Sequence, residues 1–83
     1  MLCQQVTVTA PDGLHARPAG ELVRLVKESG ALVTLSTAQR KVNASSLLSI
    51  LSLGLKQGTT VEVCVEGGNE AAVLQAVAEL IAG

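Results

Sequence analysis

Thr60-Val61-Glu62-Val63-Cys64-Val65-Glu66-Gly67-Gly68-Asn69 is the stretch that decides the fold. Valine stands at every second position from 61 to 65, between threonine, glutamate and cysteine. Side chains alternate across a strand, so one face of this segment is apolar and the other polar. A one-faced strand belongs in an antiparallel sheet covered on one side and open on the other. Gly67-Gly68 then turns the chain, Asn69 stands where a helix cap is needed, and Glu70 suits the first turn. Val73, Val77 and Leu80, joined by Leu74 and Ile81, predict a helix to about Ala82 that covers the apolar face.

The rest of the chain repeats this logic. Leu2 to Thr9 alternates, with Leu2, Val6 and Val8 inward and Cys3, Gln5, Thr7 and Thr9 outward. Ala31 to Ser36 predicts a strand with Val33 and Leu35 buried, and Arg40 to Asn43 a short one with Val42 inward. Between them Thr37-Ala38-Gln39 has no Gly, Asn or Asp to supply φ > 0, which predicts a longer or looser loop than a tight hairpin turn. Leu22, Val23, Leu25 and Val26 predict a helix from about Ala16 to Glu28, stopped by Ser29-Gly30. Its exposed side carries Arg17, Glu21, Arg24 and Glu28 at i,i+4 spacing, with Lys27 beside them. A short helix over Leu47 to Leu53 follows the caps offered by Asn43 to Ser46 and ends at Gly54. The order strand, helix, two strands, helix, strand, helix predicts one α+β domain over residues 1–83, an open-faced β-sandwich with three helices on one face of the sheet. Cys3, Thr7, Glu62 and Cys64 fall on the face left to solvent.

Composition narrows what such a domain can do. Of 83 residues 48% are apolar, yet Phe, Tyr and Trp are all absent, so the core is aliphatic. A net charge of −1 without aromatic platforms argues against a general nucleic-acid binder. No apolar run approaches the ~20 residues that span a bilayer, and Met1 to Gln5 lack the basic start and apolar core of a signal peptide. A cytoplasmic protein without membrane insertion is the expectation. Cys3 and Cys64 are too few for a zinc site and too distant for a CxxC motif, which predicts reduced, inert thiols, and no metal or cofactor is expected.

The chemistry concentrates in Asp12-Gly13-Leu14-His15-Ala16-Arg17-Pro18-Ala19, which holds the only histidine. Pro11-Asp12-Gly13 is turn chemistry, and Pro18 suits the first turn of a helix, where its missing N–H has no intrahelical partner. His15 therefore stands at a helix N-terminus, whose unpaired N–H groups carry roughly half a unit of positive charge and attract anions. Arg17 adds a planar guanidinium suited to phosphate. A lone imidazole in that setting points to a histidine that carries a phosphoryl group, its oxygens held by the Ala16 and Arg17 amides and the Arg17 side chain. A second feature is apolar. Leu47, Leu48 and Leu51 cannot all be buried together with Ile50 and Leu53 on so short a helix, and an exposed apolar cluster marks a partner surface.

Gly13-Leu14-His15-Ala16-Arg17-Pro18-Ala19 resembles, residue for residue, the active-site motif of the HPr phosphocarrier family of the bacterial phosphoenolpyruvate-dependent sugar phosphotransferase system. Ser46 before the apolar helix, Ser52-Leu53-Gly54-Leu55 and Gly58-Thr59 are similar to the family's second signature, in register with the first. The resemblance implies a βαββαβα fold with strand order 1-4-2-3. It implies that His15 takes a phosphoryl group from Enzyme I through Nδ1 and passes it to a IIA domain of a sugar permease, as a monomeric carrier of sugar transport rather than a stand-alone enzyme. Partners would dock on Leu47, Leu48 and Leu51 with Arg24 and Lys27, and so should present an apolar patch rimmed with acidic groups. In families with an HPr kinase/phosphorylase, Ser46 receives a regulatory phosphate; here Ser45 precedes it where many members have a basic residue, which counts against recognition by that kinase. Alternatives are an HPr-like module of a multiphosphoryl transfer protein, a nitrogen-regulatory branch, or a regulatory binding module acting through Ser46; members of the last kind lack the histidine, so His15 counts against it. The implied pairing of the first and fourth strands would oppose residues whose numbers sum to about 67, bringing Cys3 and Cys64 towards disulfide distance as an oxidation liability.

Overall fold

The computed structural model describes residues 1–83 throughout. Its elements are β1 (Leu2–Thr7), α1 (Ala16–Ser29), β2 (Leu32–Ser36), β3 (Lys41–Asn43), α2 (Leu47–Ser52), β4 (Thr60–Glu66) and α3 (Glu70–Ala82). The four strands form one antiparallel sheet in the order β1-β4-β2-β3. Central β4 is the strand with the strictest alternation, and its three valines are fully buried. Above them lie Ala19, Leu22 and Val26 of α1, and Val73, Leu74, Val77 and Ile81 of α3. The core is wholly hydrophobic, with no buried polar or charged residue. Each large aliphatic side chain fully buried there contributes about 1.5–3 kcal/mol, which is how the domain does without aromatics.

Several boundaries differ from expectation for identifiable reasons. β1 stops at Thr7 rather than Thr9, because the chain leaves the ladder to reach α3: the Val8 amide still donates to Thr59 O at 2.9 Å, but that of Thr9 donates to Ala82 O. Leu2 shares the inward face yet is 41% exposed, since the strand begins beyond the helical cover. Leu80 is only half-buried, because α3 turns Val73, Leu74, Val77 and Ile81 onto the sheet. The β2–β3 connection is a four-residue loop in which Thr37 does the work of a positive-φ residue. Its Oγ1 accepts from the amides of Gln39 and Arg40 at 3.4 and 3.3 Å, and its own amide donates to Arg40 O.

On the open face Cys3 stands directly opposite Cys64, the register that a sum of 67 requires. The two are bonded as a disulfide, with Cα atoms 4.1 Å apart. The expectation of inert thiols is corrected and the oxidation liability is met: direct opposition on adjacent strands places the sulfurs within bonding reach.

Candidate functional site

β1 delivers the chain to the site. Gly13 takes φ +69°, and a Cβ there would lie 2.3 Å from the Leu55 carbonyl oxygen. The Leu14 amide donates to that same carbonyl at 2.8 Å, and the Leu14 side chain is buried in the core. The loop ahead of α1 is thus pressed against the segment that follows α2, with glycine required at the contact.

His15 is the N-cap residue of α1, with extended backbone (φ −91°, ψ −171°). Its carbonyl accepts the first intrahelical bond, from the Ala19 amide at 3.0 Å. Its side chain makes no capping hydrogen bond and is exposed. Ala16 and Arg17 open the helix, so their amides have no intrahelical carbonyl to donate to, and Pro18 has no N–H. The imidazole is therefore attached to a helix end whose donors no cap side chain has taken, where anions are favoured.

Arg17 is exposed and free of ion pairs. The i,i+4 pairing with Glu21 that its spacing allows does not form. Of that exposed stripe only Arg24 and Glu28 meet, Nε to Oε2 at 3.2 Å, which leaves Lys27 unpaired as well. The remaining ion pair joins the Met1 ammonium to Glu70, far along the chain from these cations. There the Gly67 amide donates to the Glu70 carboxylate at 2.8 Å. That bond, then the ammonium, hold the carboxyl below the usual carboxylate range.

α2 packs against α1 and presents the apolar surface expected of it. Leu48 is 80% exposed, and Leu47 and Leu51 are also exposed, whereas Ile50 is buried at 1%. Ser46 caps α2, its Oγ accepting from the Ser49 amide at 3.3 Å. Sequence reasoning missed Lys56, an exposed cation whose Cα lies 3.0 Å from the position a Gly13 Cβ would take. Its signal was available, because it directly follows Ser52-Leu53-Gly54-Leu55. The molecule's one concave depression, at Gln5, Ser36, Thr37, Ala38, Thr60 and Glu62, lies on the open face of the sheet, away from His15. The one group of metal-ligand side chains, Cys3, Glu62 and Cys64, is also there, and its sulfurs are bonded to each other.

An exposed imidazole at a helix end with open amide donors can take up an anionic group such as a phosphoryl group. Comparison with known proteins agrees. A family model described as the PTS HPr component phosphorylation site matches residues 2–83. The phosphocarrier protein HPr of Xylella fastidiosa strain Temecula1 is 40% identical over 80 residues, covering 96% of this chain and 90% of its own. Among solved structures, an HPr of Thermoanaerobacter tengcongensis superimposes with a TM-score of 0.89 at 33% identity, over 98% of this chain and 91% of its own. Another, described as the Bacillus subtilis catabolite repression containing protein Crh and a domain-swapped dimer, gives 0.75 at 33% identity, over 98% and 93%. The chain belongs to the HPr family, the phosphocarriers of the phosphotransferase system.

Proposed function

We propose that this chain is a cytoplasmic, monomeric relay that accepts a phosphoryl group from Enzyme I on Nδ1 of His15 and yields it to the IIA domain of a sugar permease. The observation that carries the reading is the exposed, non-capping His15 side chain at the N-terminus of α1. The Nδ1 lone pair attacks phosphorus in line, and the N–P bond forms as the donor's bond to phosphorus breaks; the second transfer reverses these roles. Phosphoryl transfer depends chiefly on positioning and on neutralising the charge spread over the oxygens. The Ala16 and Arg17 amides and the free Arg17 guanidinium supply that neutralisation. The site's openness has a purpose in a relay, since a buried, fully satisfied phosphohistidine would be held too tightly to pass on.

Leu47, Leu48 and Leu51 form the apolar centre of the docking surface, and Lys27 and Arg24 its basic rim. Arg24 shares its charge with Glu28, so Lys27 and Arg17 offer the freer cations to an acidic partner. Ser46 lies at the base of this surface. A phosphate on its Oγ, added by an HPr kinase/phosphorylase, would put negative charge against acidic partners and weaken docking. A regulatory role for this serine is a second reading, favoured by its partly exposed place at the N-terminus of α2 beside the exposed leucines. Incubation with that kinase and ATP, followed by mass spectrometry, tests it; an unmodified Ser46 contradicts it.

For the relay, ¹⁵N-labelled protein is charged with Enzyme I and phosphoenolpyruvate and observed by NMR. A ¹⁵N–³¹P coupling at Nδ1 of His15 is expected. Coupling at Nε2, or at no imidazole nitrogen, contradicts the assignment.

A further inference from the structure

We propose that Cys3 and Cys64 are a reversible redox site: a cross-strand staple, opened by a dithiol reductant, that sets the stability of the β1–β4 ladder and leaves the phosphoryl chemistry at His15 unchanged. These are the only two cysteines, they are opposed in register, and they are bonded to each other. Apart from the surface Met1–Glu70 ion pair, what they hold is otherwise weakly held. β1 is an edge strand hydrogen-bonded to β4 alone, and its first four residues, Leu2 to Gln5, are all exposed, so that only Val6 of the strand is buried. No core side chain anchors the Cys3 end. The bond ties it across 61 residues of chain, a long loop whose closure removes much of the unfolded state's freedom.

The staple is also placed to be opened. Cys3 is exposed and Cys64 half-buried, so an attacking thiolate reaches Sγ of Cys3 from the open face. That attack forms a mixed disulfide and expels the Cys64 thiolate, which takes a proton. The reductant's second thiolate then attacks its own sulfur in the mixed disulfide, releasing Cys3 as a thiolate that is protonated in turn. The protein gains two electrons and two protons, and the dithiol leaves as a cyclic disulfide. With the cytoplasmic siting proposed above, the reducing thiol pool keeps the staple open, and a disulfide oxidant such as oxidised glutathione closes it by the reverse exchange, taking up the two electrons and two protons as two thiols.

The His15 loop is secured independently of this end of the strand. Val8 exchanges bonds with Thr59 O and the Gly58 amide, the Thr9 amide donates to Ala82 O, and Gln57 Nε2 donates to Thr9 O at 3.1 Å. Opening the staple therefore loosens the far end of β1 and not the loop that bears the histidine.

The test takes the whole chain through oxidised and reduced glutathione, then dithiothreitol, with thiol alkylation read by mass, melting followed by circular dichroism, and labelling from Enzyme I and phosphoenolpyruvate. The oxidised chain should carry no alkylatable thiol and the reduced chain two, with Tm lower by about 10–20 °C on reduction. Re-oxidation should restore the higher Tm, and the rate of labelling at His15 should be equal in both states. Cys3→Ser and Cys64→Ser should melt like reduced wild type and ignore the reductant. Thiols that stay alkylatable in oxidised glutathione, equal Tm in both states, or a bond that links two chains on a non-reducing gel would each overturn the proposal. A labelling rate that follows the redox state would overturn its separation from the site. Absence of label in both states would instead refute the carrier reading, and the thiol and melting results would still decide the staple.

Discussion

Three helices begin in two different ways, and the difference sets the His15 end apart. At α3 the Asn69 Oδ1 accepts from the Ala72 amide at 3.3 Å, and at α2 the Ser46 Oγ accepts from the Ser49 amide at the same distance. Both side chains do what N-caps ordinarily do, which is to satisfy donors that the helix cannot. At α1 the cap residue is His15, and its side chain accepts nothing from the first turn. The one helix end with no side-chain cap bond is the one that carries His15, the residue proposed to take the phosphoryl group.

Changes at these ends should separate structural from chemical roles. The largest effect is expected at the loop that aims α1. Gly13→Ala forces a β-carbon into the Leu55 carbonyl at positive φ and should cost about 3 kcal/mol by denaturant unfolding. Unchanged stability would mean that the loop is not pressed on the 55–56 segment. Next, Arg17→Ala should slow phosphorylation of His15 by on the order of 10- to 100-fold, the worth of a charge-assisted hydrogen bond, while Tm stays put because the guanidinium is in no ion pair. A fall in Tm with normal labelling would assign Arg17 to the fold instead. Asn69→Ala and Ser46→Ala should each lose about 1 kcal/mol of stability, whereas His15→Ala should lose much less, having no cap bond to lose. Equal losses at all three ends would erase the contrast.

The smallest effect belongs to Glu70, whose folded carboxyl lies below the usual carboxylate range. Its contribution is therefore present above that range and lost as pH falls through the lowered folded value. Glu70→Gln should flatten the acid side of the stability profile and leave neutral pH behaviour nearly unchanged; an unaltered acid limb would show that the contact to Gly67 does not persist in solution.

Most of this architecture could be read from residue alternation. Valines 61, 63 and 65 marked a one-faced strand, whose central place came from the strand order that the resemblance implied, and a one-faced sheet in an aliphatic chain has no stable arrangement without helices on that face. The surplus of leucine on a helix of six residues foretold the exposure of Leu47, Leu48 and Leu51. What escaped the sequence depends on contacts distant in the chain or on side-chain substitutes for backbone rules. Thr37 replaces a positive-φ residue with its hydroxyl, which composition alone does not reveal. Lys56 lies beside the loop ahead of α1 only because Gly13 packs on Leu55, a contact distant in sequence. The Cys3–Cys64 register was legible once strands one and four were taken as neighbours; the bond itself was not, since periodicity says nothing about oxidation. Spacing likewise offered Arg17 a partner in Glu21 that it does not use, which leaves its guanidinium free for the proposed phosphate contact.

The central claim is that His15 alone receives the phosphoryl group, at a helix end it does not stabilise. The direct measurement pairs label and fold in one variant: His15→Ala, treated with Enzyme I and ³²P-phosphoenolpyruvate and melted alongside wild type. Acid-labile label on wild type, none on the variant, and a melting curve that stays close to wild type are predicted. Label persisting on the variant, or a variant that fails to fold, would contradict the account.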